Sequence, residues 1–92
     1  MKKISRRDKF KLYGDLLSAI YHYPTTEKIV LSQIQVKINV PFDRLKTYIT
    51  EIKELGLIQD GTSLKLTEKG MQYLRMYYKI LDFMKRMGLE YR

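Results

Sequence analysis

The stretch Ile49-Thr50-Glu51-Ile52-Lys53-Glu54-Leu55-Gly56-Leu57-Ile58, followed by Asp60-Gly61 and by Leu64 and Leu66, decides the fold. Ile49, Ile52 and Leu55 recur at three-residue steps, the spacing of one helix face, and Gly56 stands where a helix closes in a left-handed turn. Beyond it, two short apolar segments flank an Asp-Gly turn, the pattern of a small hairpin. A helix beside a hairpin is the second half of a winged helix-turn-helix, a shape that enters a DNA major groove with a neighbouring strand at the phosphates. Duplex DNA is therefore the first candidate partner.

Upstream, Ser32 can cap a short helix carrying Ile34, Val36 and Ile38, and Asn39 tolerates the left-handed turn that ends it. Pro41 suits the first turn of the next helix, expected over about 42–55, with Asp43 near its positive end. Leu45, Tyr48, Ile49, Ile52 and Leu55 form its inner side; Asp43, Lys46, Thr47, Thr50 and Glu54 lie opposite, with Arg44 on the flank. The front of such a helix reaches base edges and phosphates, which makes Arg44, Lys46 and Thr47 the expected contacts. Gln59 and Lys65 fall on the outward face of the wing, with Ile58, Leu64 and Leu66 inward.

The first helix is expected to begin near Arg6, where Ser5-x-x-Asp8 has the form of a capping box, and to end by His22 or Tyr23 before Pro24. Tyr13, Leu16, Leu17 and Ile20 mark its apolar side. Gly14 weakens it and suggests the close approach of another helix. Ile29 and Val30 suit a short strand over 26–30.

Ninety-two residues allow one small core, and 18 basic against 10 acidic residues give a net charge of +8. That balance favours a polyanionic partner. The excess sits at the ends. Residues 1–11 hold six basic residues and one acidic, a net +5; residues 12–66 balance at six and six; residues 67–92 hold six and three, a net +3. Lys2, Lys3, Arg6 and Arg7, with Lys37, Arg44, Lys46, Thr47 and Lys65, are the candidate DNA contacts.

The final helix, expected over 68–87 with Thr67 as cap and Gly88 as stop, is about 30 Å long at 1.5 Å per residue, more than the preceding domain can cover. Tyr73, Tyr77, Ile80, Met84 and Met87 follow the four–three alternation of heptad a and d positions, and Leu74, Met76, Leu81 and Phe83 flank them. One flank suits the winged-helix head and the other a second copy, giving Tyr73, Leu74, Tyr77, Ile80, Leu81, Met84 and Met87 as the expected dimer interface. An anionic bilayer surface would suit the same amphipathic stripe, but a dimer seam buries it without lipid. The flanks carry no charge pattern that sets strand direction.

These pieces taken together, Lys3-Ile-Ser-Arg-Arg-Asp-Lys-Phe10, Ile38-Asn39-Val40, Lys53-Glu-Leu-Gly-Leu-Ile58, Leu66-Thr-Glu-Lys-Gly70 and the tyrosine-rich terminal helix, resemble the Sulfolobus "10a" DNA-binding proteins. The resemblance implies an archaeal, chromatin-associated protein whose C-terminal helices pair in an antiparallel coiled coil. It also implies phosphate contacts shared between the basic arm and residues such as Arg44, Lys46 and Lys65.

The expected class is thus mainly α (α+β): a winged helix-turn-helix over 1–66 with a small β wing, and a dimerisation helix over 67–92. Its expected function is double-stranded DNA binding, architectural or regulatory; a protein-interaction winged helix is the competing reading. Enzymatic chemistry is not expected. His22 is the single histidine, cysteine is absent, and the carboxylates stand singly among basic residues without acid–base pairing or a phosphate-binding glycine loop. No metal, cofactor or small-molecule ligand is expected. With neither an apolar membrane span nor a signal-peptide block, the expected location is cytoplasmic, on the nucleoid.

Overall fold

The computed structural model describes residues 8–24, 28–60 and 64–90, which form four helices: α1 (Lys9–Tyr21), α2 (Leu31–Ile38), α3 (Phe42–Glu54) and α4 (Glu68–Arg86). One core unites them. Leu16, Leu17, Ala19 and Ile20 of α1 meet Ile34 and Ile38 of α2, Leu45, Ile49 and Ile52 of α3, Leu57 and Ile58 beyond it, and Leu74 and Tyr77 of α4. Apart from Tyr77 with its hydroxyl, no polar side chain is buried among the described residues.

The helix ends follow from local chemistry. Asp8 caps α1, its carboxylate accepting from the Lys11 N–H at 2.9 Å. The start therefore lies at Lys9, later than the Ser5-based expectation, and Ser5 itself falls outside the described residues. Asn39 ends α2 at φ 57°, as its tolerance of that region suggests. Gly56 ends α3 at φ 77°: its N–H donates to the Lys53 carbonyl at 3.0 Å and the Leu57 N–H to Ile52 at 2.9 Å, the paired bonds of a Schellman turn. Thr67 caps α4 by accepting from the Gly70 N–H at 3.1 Å.

Several expectations need correction. Ser32 does not cap α2; Val30 holds that position without a side-chain bond, and the Tyr23 hydroxyl stitches the connection by accepting from the Val30 N–H at 3.1 Å and donating to Gln33 at 2.8 Å. Residues 28–30 form no strand, and 25–27 lie outside the described residues. Ile29 packs on the core from a loop held by that tyrosine. Leu55 is 46 % exposed, so it is not an inner residue of α3, and Val36 on α2 faces solvent at 79 % exposure. Pro41 precedes α3 as its cap.

The wing is also smaller than expected. Among the described residues there is no strand, only one antiparallel bridge between Ile58 and Leu66, with the Gln59 N–H donating to Lys65 at 2.9 Å and the Thr67 N–H to Leu57 at 3.1 Å. The described pairing sets Ile58 and Gln59 against Lys65 and Leu66, and Leu57 and Thr67 hand the chain directly to the ends of α3 and α4. Residues 61–63 of the loop lie outside the described residues.

Gly14 lies under α4. A Cβ there would stand 2.5 Å from the Tyr77 ring, so the bare glycine lets the ring lie flat against α1. The Tyr77 hydroxyl then donates to Asp15 at 2.6 Å, and Lys11 pairs with the same carboxylate at 2.8 Å. The front of α4 thus packs into the same core as α1, α2 and α3.

Candidate nucleic-acid interface

Helix α3 is set by its buried face. Leu45, Ile49 and Ile52 point into the core, which turns Asp43, Arg44, Lys46, Thr47, Thr50 and Glu54 outward, all of them exposed. Among the described residues no carboxylate pairs with Arg44 or Lys46; the Lys46 ammonium lies 5.3 Å over the Phe42 ring, which shields no charge from an incoming anion. Asp43 and Glu54 oppose these two cations on the same side. The surface is therefore charge-balanced, with its cations toward the first turns.

A tie between α3 and the start of α1 was invisible in the sequence. Glu51 accepts from Lys9 Nζ at 2.8 and 3.0 Å and from the Tyr13 hydroxyl at 2.5 Å. These two donors hold the Glu51 carboxyl below its ordinary range, the Lys9 bond first. Glu51 in turn raises Lys9, while Tyr13 is raised first by burial and then by the carboxylate. With the partners 42 and 38 positions apart, no spacing rule could reveal the cluster. The Lys11–Asp15 pair, by contrast, has the i,i+4 spacing of a helical ion pair. Of the six basic residues in the N-terminal eleven, Lys9 and Lys11 are thus paired to carboxylates; Lys2, Lys3, Arg6 and Arg7 lie outside the described residues.

The remaining candidates fall in different places. Lys65 is exposed beside the Ile58–Leu66 bridge. Lys69 donates to the Leu55 carbonyl at 2.6 Å and so closes the end of α3. Lys37 borders a shallow groove with Lys11, Asp15, Tyr77 and Tyr78, on the side of α1 and α4. Thus Arg44, Lys46 and Thr47 all stand on the solvent side of α3, with Arg44 and Lys46 toward its opposite edges, and Lys37 is not gathered with them.

The proposed interface residues of α4 divide as well. Leu74 and Tyr77 are buried at 2 % and 1 % exposure, so they have no surface left for a partner. Tyr73 donates to the Phe10 carbonyl at 2.9 Å, and Leu81 packs on the core. Ile80 and Met84 are half-buried, whereas Met87 is exposed together with Met76 and Phe83, two flanking positions outside the expected seam list. His22 reaches the Tyr78 hydroxyl at 3.3 Å, which also bonds Ser18 at 2.7 Å. Among the described residues no cluster of His, Asp or Glu could hold a metal ion, and no helix is long and apolar enough to cross a membrane.

Compared with known proteins, residues 6–85 match a family model described as "Winged helix-turn-helix". No curated protein and no solved structure matches the chain.

Proposed function

Since the chain belongs to the winged helix-turn-helix family, we propose that it binds double-stranded DNA as a homodimer, gripping phosphates more than reading bases, as a chromatin architectural protein on the nucleoid. The observation that carries this is the outward face of α3. Its two cations, Arg44 and Lys46, have no carboxylate partner among the described residues, and the surrounding Asp43 and Glu54 keep the helix too nearly neutral to draw DNA by itself. Affinity must then come from many separate phosphate contacts, to which the basic residues at 2–7 and Lys65 contribute.

Dimerisation through the C-terminal part of α4 is the second element of the proposal. Met76, Phe83 and Met87 stand exposed on the side that also carries Ile80 and Met84, next to the face that packs on α1. Apolar surface of this kind favours a second copy of the same stripe. The finer placement among the "10a" chromatin proteins, with antiparallel pairing of the terminal helices, rests on the sequence resemblance.

Affinity for random-sequence duplexes measured against salt tests the reading. Architectural binding gives a steep log–log slope with little sequence preference. A site preferred about a thousandfold would make the chain a transcriptional regulator instead. No salt-sensitive binding at low ionic strength would leave a protein-interaction module.

A further inference from the structure

Resting on the DNA-binding reading above, we infer that α3 presents methyl groups rather than hydroxyl donors to the major groove, so that Thr47 and Thr50 favour thymine through its C5 methyl. Both hydroxyls are turned back onto their own helix. The Thr47 hydroxyl donates to the Asp43 carbonyl at 3.2 Å and the Thr50 hydroxyl to the Lys46 carbonyl at 3.1 Å. Each proton is thereby engaged one turn back, an arrangement that threonine adopts readily in helices. What remains outward on these two exposed residues is a γ-methyl and an oxygen able only to accept.

That restriction selects among bases. In the major groove guanine offers two acceptors, which a hydroxyl without a free proton cannot satisfy, whereas thymine offers a methyl group that a threonine methyl can cover. Thr47 and Thr50 are three residues apart and so lie on one strip of α3, alongside Lys46, whose ammonium remains available for a phosphate. The charged contacts hold the helix in the groove; the two methyls bias it toward A·T-rich sequence. The bias is small for each base, because burying one methyl changes affinity by roughly fourfold.

The test uses the full chain and two duplexes of one A·T-rich sequence, one with thymine and one with uracil, which differ only in the C5 methyl. The wild type is expected to bind the thymine duplex several-fold more tightly. Thr47→Val with Thr50→Val keeps a methyl on each side chain and should keep that ratio, although both hydroxyls are gone. Thr47→Ser with Thr50→Ser removes the methyls and keeps the hydroxyls, and should bring the ratio close to one. A wild-type ratio of one overturns the inference while leaving salt-dependent DNA binding intact. A ratio that survives in the serine pair also overturns it, assigning the preference to duplex shape. Absence of binding to either duplex overturns it together with the reading on which it rests.

Discussion

The two halves of α4 carry the same apolar rhythm but bury different shares of it. In the first half Leu74 and Tyr77 are buried against α1, with Tyr77 lying over Gly14 and bonded to Asp15. In the second, Phe83 is 53 % and Met87 58 % exposed. The four–three spacing detects an apolar stripe but not what covers it. Glycine decides that here, since only a residue without a Cβ admits the Tyr77 ring so close to α1.

Replacing Tyr77 by alanine should break this contrast most severely. A fully buried ring is lost along with its bond to Asp15, so the head should lose on the order of 3–5 kcal/mol in denaturant unfolding. A loss below about 1 kcal/mol would show that the first half of α4 is not part of the head's core.

Charged residues in the second half should do the reverse. Phe83→Asp combined with Met87→Asp removes an exposed apolar pair and is expected to leave the secondary structure of the head intact while reducing the sedimenting mass to that of one 11.1 kDa chain. An unchanged mass would mean that this stripe is not the seam. A collapse in stability matching that of Tyr77→Ala would erase the distinction between the halves.

How much of this was legible follows from which residues act locally. Gly56, Thr67 and Gly88 each act within their own turn, and the bounds of α3 and α4 could be read from them almost to the residue. Val30 misled because β-branched residues favour strands in isolation, whereas here the hydroxyl of Tyr23, seven residues earlier, holds the segment as the entrance to α2. Of the wing, the apolar spacing around Asp60-Gly61 gave the antiparallel pairing of Ile58 with Leu66 but not its extent, which among the described residues is a single bridge. At the candidate site, the solvent exposure of Arg44, Lys46 and Thr47 was legible from helical spacing alone. Glu51 was not, because its partners come from another helix.

The smallest effect is expected at that junction between α1 and α3. Glu51 has a depressed carboxyl pKa in the folded chain, so it contributes stability above its unfolded value of about 4.3 and loses that contribution as pH falls through the folded value. Glu51→Gln should therefore flatten the acid limb of the stability–pH profile slightly, with no change in oligomeric state. Superimposable limbs below about pH 4.5 would show that Lys9 and Tyr13 do not favour the ionised carboxylate.

The most direct test of the central claim, that α3 faces duplex phosphates, compares the wild type with an Arg44→Ala, Lys46→Ala variant on one random-sequence duplex across a range of salt. The account predicts weaker binding on every sequence and a salt slope shallower by roughly one unit for each cation removed from a protomer. Identical slopes and affinities for the two proteins would contradict it.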